Sequence, residues 1–357
     1  MPGKIDSPLN EKLKNIQWGE FRIQDLFVLK NSKNKLVGRD LNDSGDIPVY
    51  SANSTENGIV GYTNTPEFIC SDSHPMYLIF GDHTRSFNIA TCDFAVMDNV
   101  KVLYPVNIHS VNILLFIIAT WKKLIPDLGY SRHWKVAKDK ILKLPIKDGN
   151  IDFEFIESFV ADLKALHLAE IKAYLSITGL DNYELTSDEK IALSNFGNVT
   201  WSKFNLKDLY GLSTRGKRLK SMDRINGELP FVTAGEANEG VSAFIGNKVD
   251  IFSKNTITID MFGSAKFRNY KYGADDHIAV VHTEELSKFS AIFVTTAIHK
   301  SSYTGQFSYS RNFYAKDADE LNIQLPVKDN NIDNHYMDVL ISAIHKLVIK
   351  DVVLYIK

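Results

Sequence analysis

The chain has 357 residues, of which 44% are hydrophobic and 24% charged, a balance typical of folded proteins and long enough for two domains. Lysine and arginine number 41 against 43 aspartate and glutamate residues, so the formal net charge is −2. This charge provides no overall positive field of the kind that marks many nucleic-acid-binding domains, so any basic surface must be local.

The cysteine content and the apolar segments indicate a soluble protein of a reducing compartment. Cys70 and Cys92 have no other cysteine or histidine nearby at metal-ligand spacing, so we expect free thiols, no structural zinc and a cytoplasmic location. The N-terminal segment MPGKIDSPLNEKLKNIQ lacks the apolar core of a signal peptide. The longest apolar run, residues 111–121, is too short to span a bilayer and predicts a buried helix.

The predicted elements follow one order, and that order occurs twice. A short capped helix precedes Trp18; short strands with Gly, Asn and Asp turns follow, then the apolar helix, a strand that ends in Leu-Pro, and a long amphipathic helix. In the second half, TSDEKIAL predicts a capping box with Thr186 as the N-cap and Glu189 three residues later. FSKNTITIDMF and HIAVVHT are rich in β-branched residues and predict strands.

The two halves also share similar amino-acid sequences at equivalent positions. LPIKDGNID at residues 144–152 and LPVKDNNID at residues 325–333 agree at seven of nine positions, at an offset of 181 residues. WGEFRIQDLF matches WSKFNLKDLY, GDIPVYSANSTENG matches GELPFVTAGEANEG, IFGD aligns with MFGS, and GYSRHW aligns with SYSRNF. Matches along nearly the whole chain indicate duplication of an entire domain rather than a short-period repeat.

The helix after each LPxKDxNID motif carries an apolar stripe at helical spacing. The stripe residues are Ile156, Phe159, Val160, Leu163 and Leu166 in the first copy and Met337, Leu340, Ile341, Ile344 and Leu347 in the second. Two equivalent stripes can bury each other in an antiparallel helix pair, which we favour, whereas the alternative is that each helix covers its own sheet.

The expected fold is therefore α+β, with two pseudo-symmetric strand-rich modules joined by a pair of long antiparallel helices. The expected boundaries are residues 1–150 for the first module, 151–178 for its helix, 179–331 for the linker and second module, and 332–357 for the second helix.

The usual catalytic motifs are missing from the sequence. It contains no G-x-x-x-x-G-K-[ST] phosphate loop, no Gly-rich dinucleotide turn after a strand, and no N-P-P-Y or D-P-P-Y segment. An E-x-K at residues 170–172 falls in the amphipathic helix, where alternating charges normally form a solvated face, and the histidines are scattered. We predict neither catalytic residues nor a metal site in this chain.

Local basic loops are the remaining signal. TRGKRLKSMDR at residues 214–224 holds five basic residues against one acid, and KNSKNKLVGRD and GSAKFRNYKYG are similar. The predicted DNA contacts are Lys33, Lys35, Arg39, Arg85, Arg132 and His133 in the first copy and Lys217, Arg218, Lys220, Arg224, Lys266, Arg268, Tyr270 and Arg311 in the second. Basic side chains hold phosphates and Arg reads base edges, although a charge run is more often a solvated face.

Two further repeated segments have alternative interpretations. The Tyr-Ser-Arg triplets at residues 130–132 and 309–311 are equally consistent with a hydrogen-bonded corner and with a contact surface. We interpret TAGEANEG and YSANSTENG primarily as hairpin turns, with a role as contact loops as the second interpretation.

The combination of W-x-x-F-x-x-x-D-L-[FY], G-[DE]-[IL]-P, TITIDMFG and the LPxKDxNID helix resembles the DNA specificity subunits of restriction–modification systems. It looks most similar to those of BcgI-like Type IIB systems, with the HsdS-like subunits of Type I systems as cousins. The first copy departs from the pattern, because it reads PMYLIFGDHTRSF where the second reads TITIDMFGSAKFR.

The resemblance implies that each repeat is a target recognition domain and that the two domains read the two halves of an interrupted site in double-stranded DNA. It also implies a methyltransferase or fused restriction–modification subunit as partner, which would hold S-adenosylmethionine and Mg²⁺, with no cofactor in this chain. Two other classes stay open from the residues alone: an enzyme with an unrecognised active site, and a bivalent protein-binding adaptor.

Overall fold

The computed structural model describes residues 8–356. The chain divides by its internal contacts into two units, residues 1–171 and 172–357, and each is described by itself. The interpretation of the N-terminal segment rests partly on residues 1–7, which lie outside the described residues.

The first unit alternates short helices and strands. Its helices are α1 (Pro8–Lys14), α2 (Ile23–Leu26), α3 (Val111–Leu124), α4 (Trp134–Ala137) and α5 (Phe153–Thr178), the last of which runs into the second unit. Its strands are β1 (Gln17–Arg22), β2 (Phe27–Lys30), β3 (Ile47–Tyr50), β4 (Ile59–Thr63), β5 (Tyr77–Gly81), β6 (Ser86–Ala90), β7 (Ala95–Val96), β8 (Val100–Pro105), β9 (Ile141–Lys147) and β10 (Asn150–Ile151).

The second unit repeats this series. Its helices are α6 (Ser187–Ser194), α7 (Leu206–Tyr210), α8 (Lys288–Ser302), α9 (Ala315–Glu320) and α10 (Asn334–Ile356). Its strands are β11 (Trp201–Asn205), β12 (Thr214–Arg215), β13 (Asn226–Val232), β14 (Val241–Ile245), β15 (Thr256–Asp260), β16 (Ala265–Arg268), β17 (Gly273–Ala274), β18 (Ile278–Val281), β19 (Asn322–Lys328) and β20 (Asn331–Ile332).

The sheets of the two units have the same topology. The strand orders β2-β8-β5-β6, β4-β3-β7 and β1-β9-β10 in the first unit correspond to β12-β18-β15-β16, β14-β13-β17 and β11-β19-β20 in the second. The α+β class and the repeated strand-rich module predicted from the sequence are therefore confirmed.

The repeated LPxKDxNID motif is a hairpin followed by a helix cap. The turn residues Asp148 and Gly149 have φ of 52° and 80°, and Asp329 and Asn330 have 51° and 63°. Gly and Asn are among the residues that most readily adopt this left-handed conformation, which explains one of the two differences between the copies.

The aspartate that ends the motif begins the long helix. The carboxylate of Asp152 accepts from Phe155 N and that of Asp333 accepts from Tyr336 N, both at 2.9 Å. Each aspartate also donates its own N–H to the carbonyl of the motif proline at 2.9 Å. These bonds satisfy groups that a helix start leaves open and fix where the helix leaves the strand.

The apolar stripes divide into two parts. Ile156 belongs to the core of the first unit, and Met337, Leu340 and Ile341 belong to the core of the second. These four residues thus follow the alternative interpretation, in which each helix covers its own module. Phe159 and Val160 are also buried, Leu163 is half-buried, and the far ends of the stripes, Leu166, Ile344 and Leu347, are 38–46% exposed. Pairing of the two long helices remains a prediction.

The strand registers correct one part of the letter alignment. In the equivalent central strands β5 and β15, Leu78 pairs with Leu103 of β8 and Ile257 pairs with Val281 of β18. Three residues further along each strand, Gly81 occupies the place of Asp260 at the strand end. The alignment of IFGD with MFGS is therefore wrong by three residues. The sequence alignment matched the two Phe-Gly pairs, but Phe80-Gly81 lies within β5, whereas Phe262-Gly263 lies in the turn after β15.

The apolar run at residues 111–121 lies in α3, as predicted. Ile113, Leu114, Ile117 and Trp121 are buried in the first core. Within residues 8–356, no helix combines the length and apolarity needed to cross a bilayer.

Glu189 connects α6 to α10 within the second unit. The predicted capping box is present, because Thr186 Oγ1 accepts from Glu189 N at 3.2 Å and Glu189 Oε2 accepts from Thr186 N at 2.7 Å. Ser342 and Lys346 on α10 donate to the same carboxylate at 2.6 and 2.9 Å. Burial alone would raise the pKa of Glu189, but these hydrogen bonds and the Lys346 charge lower it from 4.5 to about 2.

We expect Glu189→Gln to lower the free energy of unfolding by about 3 kcal/mol at pH 7, because it leaves Lys346 without its charge partner. The depressed pKa means that the carboxylate stabilises the fold above pH 4.5 and loses this contribution as the pH falls towards 2. Thermal melting across this range should show the difference from the unsubstituted protein shrinking. The exposed neighbour Asp188 on the same helix is the control, and an equal effect of Asp188→Asn would contradict the assignment.

Candidate nucleic-acid interface

An eight-residue hairpin loop joins β3 to β4 and, at the equivalent place, β13 to β14. The loops comprise residues 51–58 (SANSTENG) and 233–240 (TAGEANEG). The first N–H donates to the last carbonyl in both, from Ser51 to Gly58 at 2.9 Å and from Thr233 to Gly240 at 2.8 Å. The two modules therefore present a loop of the same length and closure but of different sequence. The interpretation of these segments as hairpin turns is confirmed.

The basic loop lies beside the hairpin loop in the second module. Lys217 N donates to Ala274 O at 3.0 Å. Asp275, which follows Ala274, donates its N–H at 2.9 Å to the carbonyl of Val232, the last residue before the hairpin loop. Asp275 Oδ1 also accepts from Leu219 N at 3.2 Å. These bonds tie the basic segment to the base of the hairpin loop.

The first module has the same arrangement with other residues. Leu36 N donates to Val96 O at 3.0 Å, and Met97 N donates to Tyr50 O at 2.9 Å. The repeated geometry brings basic side chains, which are distant from the hairpin loops in sequence, to one edge of each module.

Among the contacts predicted in the second module, Arg218 and Lys220 have exposed side chains without a partner among the described residues. Lys217 is exposed and pairs with Asp250 at 3.0 Å. The guanidinium of Arg224 lies 5.1 Å from the centre of the Phe231 ring and bonds to Leu219 O and Ser242 Oγ, so it is half-buried.

The first module presents Lys33, Arg39 and Arg132 to solvent. Lys35 pairs with Asp98 at 2.7 Å, and this hydrogen bond lowers the pKa of Asp98, with a smaller contribution from the charge of Arg132. The Asp98 carboxylate therefore experiences basic groups from two distant segments, around residues 35 and 132.

Two predicted contacts are wrong, because their side chains are buried and bonded within the module. Arg268 is 1% exposed, and its guanidinium donates to Thr258 Oγ1 at 2.9 Å, Tyr270 OH at 3.0 Å and Glu239 O at 2.8 Å. His133 is also 1% exposed, and its ring nitrogens lie 3.0 Å from Asp82 O and Leu128 N. A buried cation must be paired, and Arg268 uses its donors inside the protein.

Four other predicted contacts are partly engaged. Arg85 pairs with Asp127 at 2.6 Å, Lys266 with Glu236 at 3.1 Å, and Arg311 with Asp317 through both arms of the guanidinium. Tyr270 is half-buried and its hydroxyl accepts from Arg268. Their role at a DNA surface remains a prediction.

The Tyr-Ser-Arg triplets are both a corner and an exposed surface. In the second module Ser308 and Arg311 exchange backbone hydrogen bonds of 2.9 and 3.1 Å. Tyr130 and Tyr309 are nevertheless 87% and 85% exposed, and their rings lie 4.6 Å from His83 and 5.2 Å from Phe262. The sequence showed the repeat of these tyrosines but not their exposure.

A polar cleft of about 440 Å³ adjoins the second hairpin loop. Its lining residues are Glu236, Glu239, Ala265, Lys266, Phe267, Asn269 and Thr295. Nearby, the side chains of Asp275, Asp276 and His277 place ligand-type atoms within 4.8 Å of one another. Asp276 Oδ1 is buried and lies 3.1 Å from His277 Nδ1 without a hydrogen bond among the described residues, whereas Asp275 Oδ1 accepts from Leu219 N at 3.2 Å.

The model of the Type I restriction modification DNA specificity domain matches the chain twice, at residues 15–173 and 198–354. The chain is 21% identical over 333 residues to the Type II restriction enzyme BgcI specificity subunit S.BcgI of Heyndrickxia coagulans, covering 90% of this chain and 93% of that protein. The fold is similar to the crystal structure of a Type-I restriction-modification S subunit from M. genitalium, with a TM-score of 0.62, 14% identity, and coverage of 96% and 91% of the two chains.

Two modules that both match the family model, each with a basic loop bonded to the base of a hairpin loop, place the protein in the DNA-specificity class. The chain belongs to the Type I restriction modification DNA specificity family and carries two copies of its domain. It is a specificity subunit of a restriction–modification system with two DNA recognition domains, and it is not the catalytic component. The resemblance inferred from the motifs is confirmed.

The neighbours Arg132 and His133 should separate surface from core effects. We expect His133→Phe to lower the free energy of unfolding by about 1–3 kcal/mol, because Leu128 N loses its acceptor. Arg132→Ala should leave the melting temperature unchanged and weaken DNA binding, because Arg132 is exposed. Thermal melting and a DNA titration measure both; a destabilised Arg132→Ala protein or an unaffected His133→Phe protein would contradict these placements.

Proposed function

We propose that the two modules bind the two halves of an interrupted site in double-stranded DNA and thereby position a partner subunit that carries out the chemistry. The observation that carries this proposal is the repeated geometry: each module holds a basic loop against an eight-residue hairpin loop with the same backbone bonds and different side chains. A shared framework gives both modules the same way of meeting DNA, while different loops give each a different sequence to read.

The partner we propose is a methyltransferase or a fused restriction–modification subunit. It would hold S-adenosylmethionine and Mg²⁺, since the usual catalytic motifs are missing from this chain. The relative from Heyndrickxia coagulans is named as the specificity subunit of a restriction enzyme, which agrees with this division of labour. Such a complex would act in the cytoplasm, where the DNA is.

The basic loop of the second module provides a direct test. We expect the double substitution Arg218→Ala, Lys220→Ala to weaken binding to all DNA sequences and to flatten the dependence of log affinity on log salt by about 1–2 units, because each phosphate contact releases counterions. The exposed Lys203 on β11 provides a control of like charge.

DNA titrations from low to physiological salt measure this slope. An unchanged slope in the double variant, or an equal change in Lys203→Ala, would remove the basic loop from the interface. Binding that is insensitive to salt in the unsubstituted chain would contradict the DNA proposal as a whole and favour a protein-binding adaptor.

We further propose that the long helices set the distance between the half-sites. Helix α5 has 26 residues and α10 has 23. At ~1.5 Å per residue they are roughly 39 and 35 Å long, close to one turn of B-DNA at ~34–36 Å. If the ends of the stripes pair as predicted, through Leu163, Leu166, Ile344 and Leu347, the helices form a rigid spacer.

Matched insertions in the two helices should change the gap. Adding about seven residues, two turns, to both α5 and α10 preserves the apolar face and lengthens each by ~10 Å, so the gap should widen by roughly 3 base pairs while the two half-sites stay the same. The same insertion in the segment between α5 and α6 is the control and should leave the gap unchanged. Sequencing of the bound DNA measures the gap length and the half-site sequences. A continuous recognition site, or a gap that stays the same when the helices are lengthened, would contradict the spacer proposal.

A further inference from the structure

The tips of the two hairpin loops share an uncommon backbone. Three consecutive residues have positive φ in each: Glu56, Asn57 and Gly58 at 48°, 51° and 79°, and Asn238, Glu239 and Gly240 at 49°, 55° and 81°. Positive φ favours glycine at the third position of both tips, and a Cβ on Gly240 would in addition lie 2.7 Å from the backbone oxygen of Thr233. The turn is thus a repeated feature of the framework.

The side chains at the tips are unusual for this backbone. Asn tolerates positive φ, whereas Glu is a poor choice there, and strained residues of this kind concentrate at functional sites. Each tip nevertheless carries one Glu and one Asn, in opposite order: Glu56-Asn57 in the first module and Asn238-Glu239 in the second. All four are exposed, and within residues 8–356 their side chains make no hydrogen bond or ion pair. Folding therefore gains little from them.

The same carbonyl of each tip is held by a side chain from the neighbouring strand. The buried Arg268 of β16 donates to Glu239 O at 2.8 Å. In the first module the amide nitrogen of Asn88 on β6 lies 2.8 Å from Asn57 O, in the amide orientation that satisfies both of its polar atoms. Two different residues thus perform the same task, which indicates that the position of the tip matters in both modules.

We propose that these tips read base edges, an inference that rests on the DNA-binding function proposed above. The carboxylates of Glu239 and Glu56 accept from the exocyclic amino group of a base, as in contacts to cytosine N4, and the amides of Asn57 and Asn238 bind the N6/N7 edge of adenine. Arg268 and Asn88 are positioning residues that hold the tips in place.

The surroundings support this assignment. The tip of the second module lies at the cleft that includes Lys266 and Asn269, and Lys266 is paired with Glu236, which leaves the Glu239 carboxylate free to accept. The basic segment with Arg218 and Lys220 is tied to the base of the same loop. A carboxylate is repelled by phosphates, so its place beside basic groups fits a role at base edges rather than at the backbone.

The test is selection of bound sequences from random DNA by the full chain. We expect Glu239→Ala to reduce the preference at one position of one half-site by about 5- to 150-fold while the other half-site is unchanged. Asn57→Ala should do the same at one position of the other half-site. Each variant is therefore the control for the other. Exchanging Asn238 and Glu239 should give the second tip the base preferences of the first at these positions.

Arg268 requires a readout beyond stability. We expect Arg268→Met to relax the same base position as Glu239→Ala while affinity for non-specific DNA is kept, and Arg268→Lys to restore part of the preference. Phe313→Leu, a change in the core of the same module, should lower the melting temperature with no change in preference. If Arg268→Met does not fold, the exposed tip variants decide the question.

The outcomes distinguish the two levels of the proposal. If the unsubstituted chain selects no DNA sequence, the proposed function fails. If it selects a bipartite site but Glu239→Ala and Asn57→Ala leave both halves unchanged, the function stands and the assignment of the tips is overturned. Relaxation of the preference by Phe313→Leu would show that Arg268 acts through general stability alone.

Discussion

Each module depends on an antiparallel strand pair that joins its beginning to its end, β1 with β9 in the first module and β11 with β19 in the second. Trp18 lies opposite Pro145 on β1 and β9, and Trp201 lies opposite Pro326 on β11 and β19. This pairing joins segments more than a hundred residues apart, so loop-closure entropy opposes it and the cores must compensate. Because the long helix begins directly after this hairpin, the same pairing sets the position of the helix relative to its sheets.

The two modules fill one framework with different interiors. The smaller core of the first module packs aromatic rings, with Phe68 and Phe94 stacked at 4.9 Å and Tyr50 at an edge. The second module buries the Arg268 guanidinium beside Tyr272 and Thr258. A buried cation needs all its donors satisfied, so it imposes a defined geometry on the loop it reaches. Divergence of the interior therefore extends to the loops at the surface.

The buried arginine also shows why local charge is an incomplete guide to a binding surface. Lys266 and Arg268 are two residues apart on β16, yet Lys266 lines the cleft and Arg268 is buried. The same holds for Arg132 and His133, which are exposed and buried. The neighbours that satisfy a charged or polar group come from distant segments, so the sequence pattern around it cannot show whether it is free.

The sequence alone determined the duplication, the strand and helix types and the protein class. These properties rest on local periodicity, on turn residues such as Gly149 and Asn330, and on motifs that occur twice. The tertiary structure decided the rest: the register that places Gly81 with Asp260, the burial of Met337 in its own core, and the position of the basic loops beside the hairpin loops. These depend on pairing and packing between residues far apart in the chain, and one sequence read alone contains no measure of which distant partners meet.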